Sequence, residues 1–185
     1  MKTASVLLIP GLSNSGPEHW QSLWQAKHPE YHRVQQADWE TPRRDDWVRT
    51  LHACILQIES PVVLAGHSLA CATIAHYAAK HGDCERRVAA AFLVAPSDVE
   101  APTYPPGSTG FDPMPLPKLP FRSVVVASTD DPYVTLERAE FFARSLGSNL
   151  IKIADAGHIN TASGHGPWPE GEAWLEQLRE IQTSA

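Results

Sequence analysis

The chain has 185 residues, of which 43% are hydrophobic and 19% charged, and its formal net charge is -6. These proportions describe a single globular domain (1–185) that can bury a core, not a disordered chain. The acidic balance lacks the basic face that nucleic-acid binding requires, and no apolar run approaches the roughly 20 residues of a membrane helix. Three cysteines, Cys54, Cys71 and Cys84, form no Cys-x-x-Cys pair and predict free thiols in a reducing compartment. The apolar run after Met1-Lys2-Thr3 spans only about six residues, short of a signal-peptide core. The expectation is a cytoplasmic protein, with neither nucleic acid nor membrane as a partner.

In chain order, Ala4 to Ile9 is a continuous apolar run of strand length, as expected of a strand buried on both faces of a parallel sheet. Pro17 to His28 follows with Trp20, Leu23, Trp24 and Lys27 on one helical stripe, read as core. A weaker strand candidate, Tyr31 to Gln35, precedes a helix over Arg43 to Ile58. In that helix Trp47, Leu51, Cys54, Ile55 and Ile58 keep helical spacing, and Asp45 and Asp46 sit where the helix dipole favours anions. Val62 to Ala65 is the next strand, Leu69 to His81 the next helix, and Val88 to Val94 a further strand. Val124 to Ala127 and Asn149 to Ile153 complete the strands, with helices over Thr135 to Leu146, stopped by Gly147, and Pro169 to Ile181. The alternation predicts a doubly wound, three-layer α/β domain with about six mostly parallel strands and helices on both faces. Right-handed crossovers would then gather every strand C-terminus on one edge, where ligand chemistry collects. The segment 95–121 breaks the pattern. It holds eight of the 16 prolines, which excludes a regular helix through most of it, and it leaves a strand C-terminus as a candidate small cover over the site.

The chemistry centres on Val62-Val63-Leu64-Ala65-Gly66-His67-Ser68-Leu69-Ala70, which places a serine on a tight turn between strand and helix. It approximates the Gly-x-Ser-x-Gly nucleophile elbow, with Ala70 in the last position. A serine hydroxyl needs a base to take its proton and an acid to orient that base. On this architecture the partners follow in the order Ser, Asp or Glu, His. Asp130-Asp131-Pro132-Tyr133 leaves the strand at Val124 to Ala127, and His158 follows the last strand candidate in Ala156-Gly157-His158-Ile159-Asn160. Asp131 is the preferred acid, Asp130 the brace of its turn, and Asp155 a weaker alternative. His165 is the rival base, and His67 is expected to point away from the nucleophile. The oxyanion hole would use the backbone N–H of Leu69 and of Leu12, with Ser13 as the alternative to Leu12. Cys71 is read as a small buried apolar residue, and no His-Glu-x-x-His or similar metal pattern is present.

Several segments together resemble a known family: Ile9-Pro10-Gly11-Leu12, Ser15-Gly16-Pro17-Glu18-His19-Trp20-Gln21, Asp38-Trp39, Gly66-His67-Ser68-Leu69, Val94-Ala95-Pro96, Asp130-Asp131-Pro132-Tyr133 and Ala156-Gly157-His158-Ile159-Asn160. They are similar to the small YdeN-like serine hydrolases, a family that includes the retinoblastoma-binding serine hydrolase of animals. The resemblance runs from the first strand to about Gly171. It implies a compact α/β-hydrolase fold without a large cap domain, a Ser68, Asp131, His158 triad, and hydrolase activity without an assigned natural substrate. The animal relative's Leu-x-Cys-x-Glu motif has no counterpart around any cysteine here, so a protein partner is not indicated. His19 and Trp20 either fix the oxyanion loop or wall a pocket, to which Tyr133, His165 and Trp168 are the other candidate contributors. The expectation is a cofactor-free, metal-free hydrolase of a small ester, amide or thioester. The alternative is a catalytically weak or inactive binding or regulatory protein that keeps the fold.

Overall fold

Six short apolar runs pair into one parallel sheet. The computed structural model describes residues 3–180. Its strands are β1 (Ser5–Ile9), β2 (His32–Arg33), β3 (Val62–His67), β4 (Val88–Val94), β5 (Arg122–Ser128) and β6 (Asn149–Ile153), in spatial order β2-β1-β3-β4-β5-β6. All five pairings are parallel. The helices are α1 (Trp20–Lys27), α2 (Arg44–Gln57), α3 (Leu69–Lys80), α4 (Leu136–Leu146) and α5 (Pro169–Arg179). Every strand and helix expected from the sequence is present. The expected helix over Pro169 to Ile181 ends at Arg179, and Ile181 lies outside the described residues.

Side-chain alternation along each strand divides the core in two. Leu7, Ile9, Leu64, Leu93 and Val125 face α2, α3 and α4, whose Leu51, Ile55, Ile74 and Phe142 bury against them. Val6, Leu8, Val63, Phe92 and Val126 face the other way, onto Trp20 and Trp24 of α1 and Leu175 of α5. Both faces are therefore covered, which explains why the strands read as unbroken apolar runs. No helix among the described residues is long and apolar enough to cross a membrane.

Strand β3 extends two residues past its predicted end, because Gly66 and His67 pair with Leu93 and Val94 of β4. Helix α1 starts later than its stripe suggests. His19 caps it by accepting the Gln21 N–H at its Nδ1 (3.2 Å), leaving 17–19 as a turn. The proline-rich segment 95–121 is pinned by Phe111, Met114, Leu119 and Phe121, all buried in the core on the α2–α4 face.

One polar residue ties the reactive edge of the sheet together. Gln21 is fully buried, and its amide nitrogen donates to the carbonyls of Ile9 (3.0 Å) and Ala65 (2.9 Å). Its amide oxygen accepts from the Ser15 hydroxyl (2.6 Å). One side chain thus links the ends of β1 and β3 with the loop that follows β1. Removing it takes a buried donor from each carbonyl and the acceptor from the Ser15 hydroxyl, three hydrogen bonds worth roughly 0.5–1.5 kcal/mol apiece. Gln21→Ala is accordingly expected to lower the unfolding free energy by ~3 kcal/mol in urea titration, and a loss below ~1 kcal/mol would contradict the clamp.

Candidate active site

The turn from β3 into α3 holds Ser68 at φ 58° and ψ -123°, a left-handed conformation for a non-glycine residue. Such strain is characteristic of functional turns and lifts the side chain clear of the backbone. The glycine before the nucleophile is required by packing: a Cβ on Gly66 would lie 2.7 Å from Ile74 Cδ1. The same added Cβ would be 3.4 Å from the Ala70 Cβ, an ordinary contact, so Ile74 and not Ala70 excludes a side chain at position 66.

Ser68 Oγ lies 2.9 Å from His158 Nε2. His158 Nδ1 in turn lies 2.9 and 3.0 Å from the two carboxylate oxygens of Asp131, whose side chain is completely shielded from solvent. The carboxylate also accepts the Tyr133 N–H (2.9 Å). Three side chains from three strand ends thus form one hydrogen-bonded line. Asp130 does not join it. Its Oδ1 accepts from Ser128 Oγ (2.6 Å) and from the Gly157 N–H (2.7 Å), bracing the turn that carries His158. Those two bonds hold the Asp130 carboxyl below the usual range, Ser128 first and Gly157 second. Asp155 accepts from Thr129 Oγ1 and its own N–H donates back to that hydroxyl, so it stands apart as well.

Two unbonded backbone N–H groups border the elbow. The Leu69 N–H opens α3 and the Leu12 N–H follows Gly11, and neither is bonded to another group among the described residues. The Ser13 N–H, the alternative to Leu12, is committed to the Trp39 carbonyl (3.0 Å). Gly11 is packed directly on the elbow: a Cβ there would stand 2.7 Å from the His67 carbonyl, 2.9 Å from Ser68 Cβ and 3.3 Å from the Leu69 N.

A cavity of about 240 Å³ opens onto Ser68 and His158. Leu12, His19, Tyr133, Tyr104 and Pro105 are among its walls, so the proline-rich segment contributes to the site, and Tyr133 sets its ring against His158 (4.6 Å). Three other pocket candidates do not line it. Trp20 is fully buried, donating its indole N–H to the Ile159 carbonyl (3.0 Å) and packing on Trp24 and Trp168. Trp168 caps α5 at φ 40° and lies over Gly171, where a Cβ would come within 2.3 Å of its ring. His165 turns to Ser163 and to the Trp168 ring. All three lie in the aromatic layer behind the site, where the demand for apolar packing outweighs their proximity in sequence.

Two residues were missed from the sequence. Ser97, just past β4, is buried with its hydroxyl 2.8 Å from Ser68 Oγ, and the Val94-Ala95-Pro96 strand exit beside the elbow was the available signal. His67 corrects an expectation. Its side chain lines the cavity and donates from Nε2 to the His158 carbonyl (2.9 Å), fixing the backbone of that residue. Sequence periodicity could not show this, because the contact depends on how the loop after β6 folds back. Cys71 is buried as expected, and burial pushes its thiol pKa up.

Fold and site together define an α/β hydrolase with a serine, histidine and aspartate in line. The family model of serine hydrolases matches residues 6–177, so the chain belongs to the serine hydrolase family. Within it, a structure described as a YdeN-like hydrolase from Pectobacterium atrosepticum is 30% identical, with TM-score 0.86 over 97% of this chain and 92% of that one. The YdeN protein of Bacillus subtilis is 21% identical, with TM-score 0.76 over 95% and 98%. An esterase from Thermogutta terrifontis shares the fold at 16% identity and TM-score 0.67, over 96% and 92%. No curated protein sequence matches the chain.

Two buried histidines beside the base are held neutral. Burial, then the Arg33 charge and then that of His158, depress the His19 pKa to about 3. Burial, followed by His158 and His19, lowers His67 well below its ordinary value, against a smaller opposing effect of its bond to the His158 carbonyl. An unfolded histidine titrates near 6.5, so below that pH the unfolded chain binds more protons and stability falls with pH. His19 should contribute a loss of ~1.7 kcal/mol between pH 6.5 and pH 5, and His67 a further loss in the same direction. Urea unfolding across this range should show it, and His19→Asn, which keeps a capping acceptor, should reduce the slope by about one proton. An unchanged slope would show that His19 is charged in the folded protein.

Proposed function

We propose that this serine hydrolase is carboxylesterase-like and cleaves a small ester through an acyl-enzyme on Ser68. The observation that carries this reading is the unbroken line Ser68 Oγ, His158 Nε2, His158 Nδ1, Asp131, with each separation at 2.9–3.0 Å. In the forward step Ser68 Oγ attacks the ester carbonyl carbon as its proton passes to His158 Nε2. The oxygen of the tetrahedral intermediate takes its negative charge into the N–H pair of Leu12 and Leu69, at the positive end of α3. His158 then protonates the departing alcohol oxygen, leaving acyl-Ser68. A water molecule, deprotonated by His158, attacks the acyl carbon. The acid departs and the proton returns to Ser68. Asp131 holds the imidazole with Nδ1 protonated and stabilises its cationic form, while remaining ionised itself.

Ser97 supports the nucleophile. When Ser68 donates to His158, the hydroxyl left to bond Ser68 Oγ is that of Ser97, which orients the lone pair that attacks. The cavity of about 240 Å³ suits short acyl or alcohol groups, being below the roughly 300–1,000 Å³ of drug-sized sites. The cytoplasm, where Cys54, Cys71 and Cys84 stay as thiols, is the compartment this reading assigns.

A fluorophosphonate probe is expected to label Ser68, with mass-spectrometric peptide mapping as the readout. Ser68→Ala should lose both the label and at least ~10³-fold of turnover on short p-nitrophenyl esters. Labelling that survives the substitution would overturn the assignment. Ser97→Ala is expected to lower kcat by ~3–10-fold, the value of one lost hydrogen bond, with KM changed less than twofold. An unaltered kcat would reduce Ser97 to a packing role.

A further inference from the structure

His19 forms part of the cavity wall yet is only 5% exposed. Its Nδ1 accepts the Gln21 N–H, so in the neutral ring the proton sits on Nε2. That Nε2 is buried and has no partner among the described residues. Its neighbours explain the ring's placement but do not satisfy it: His67 stands edge-on at 4.8 Å and Trp20 is tilted at 5.2 Å. An N–H buried without an acceptor destabilises the free protein and is retained where a ligand supplies the acceptor.

We propose that His19 Nε2–H reads the substrate, and that the substrate is an uncharged ester bearing an oxygen acceptor in addition to the two oxygens of its ester group. This rests on the hydrolase reading above. In that reading the carbonyl oxygen is held by the Leu12 and Leu69 N–H groups, and the alcohol oxygen receives its proton from His158. The His19 donor is therefore left for a third oxygen: hydroxyl, ether or ketone. A carboxylate is not matched, because no lysine or arginine lines the cavity. The nearby Arg33 guanidinium is bound to Asn14 Oδ1, the Ser15 carbonyl and Ser22 Oγ. The same guanidinium, together with burial, keeps His19 neutral and so a donor of a single, fixed proton. A site built to hydrogen-bond a substrate oxygen discriminates strongly against the analogue that lacks it.

The test uses two pairs of near-isosteric esters. One pair, p-nitrophenyl methoxyacetate and p-nitrophenyl butyrate, places the extra oxygen on the acyl side. The other, 2-methoxyethyl acetate and butyl acetate, places it on the alcohol side. Ratios of kcat/KM are corrected for each ester's hydroxide-catalysed rate. At least one pair should favour its oxygenated member by ~10-fold or more, and His19→Ser, which keeps an N-cap oxygen, should abolish that preference. No preference in either pair, or a preference unmoved by His19→Ser, overturns the proposal. A second readout does not require turnover: ¹⁵N-histidine NMR of Ser68→Ala during titration with the same esters. The His19 Nε2 resonance should shift with an oxygenated ester and not with its hydrocarbon twin, and equal or absent responses overturn the proposal. Discrimination by NMR without Ser68-dependent turnover would sink the hydrolase reading alone. Turnover without discrimination would sink only the role of His19.

Discussion

Gly11 and the elbow turn are in backbone contact, and the geometry of the site follows from that contact. The parallel pairing of β1 with β3, Ile9 opposite Gly66, brings the loop after β1 against the residues that carry the nucleophile. With any side chain at position 11, a Cβ would come within 2.9 Å of both the His67 carbonyl and Ser68 Cβ. The glycine lets the loop that carries Leu12 pack on the turn that carries Leu69, where a Cβ at position 11 would stand 3.3 Å from the Leu69 N, so the two N–H groups proposed as the oxyanion site belong to one backbone juncture. Gln21 holds the same juncture from below, bonding the last carbonyl of β1, the Ala65 carbonyl of β3 and the Ser15 hydroxyl. These bonds are made within the protein itself, as the proposed electrostatic stabilisation without reorganisation requires.

Around that frame the protein surrounds its base with neutral groups. His19 and His67 are buried beside His158, and burial prevents both from charging at neutral pH. Two imidazolium ions there would oppose the cation that His158 becomes in the proposed transfer of the serine proton. Each neutral ring also performs a distinct task set by its tautomer. His67 donates to the His158 carbonyl and holds that residue's backbone, whereas His19, in the cavity wall, caps α1 with one nitrogen and leaves the other buried without a partner among the described residues. Asp131 is the one carboxylate bonded to His158 among the described residues, and Asp130 braces the neighbouring turn by way of Gly157.

The proline-rich segment completes the site economically. Its buried Phe111, Met114, Leu119 and Phe121 anchor it to the core, and its first residues deliver Ser97, Tyr104 and Pro105 to the cavity. Prolines prevent it from collapsing into a helix that would pack elsewhere. A compact wall thus takes the place of a cap domain, and the resulting cavity is small and without formal charge on the residues proposed to bind substrate.

Strand and helix order was legible because apolar runs and helical stripes are local signals. Strands covered on both faces read as unbroken apolar segments, and the elbow, the Asp130-Asp131 turn and the Gly157-His158 turn each sit at a strand end. Such positions predict the sheet edge without coordinates. The sequence alone therefore determined the fold class and narrowed the candidate reactive residues to Ser68, His158 and an aspartate of the 130–131 pair. It preferred Asp131 of that pair, but both occupy the same turn, and only the return of the loop after β6 shows which carboxylate meets Nδ1. It could not separate Trp20, His165 and Trp168, which belong to the aromatic layer, from His19 and Tyr133, which face the cavity. Hidden too were the bond of His67 to the base and the hydroxyl of Ser97 beside the nucleophile. These are contacts between side chains and loops far apart in sequence, and only tertiary packing decides them, since residue type sets what a group can do and neighbouring atoms determine where it points.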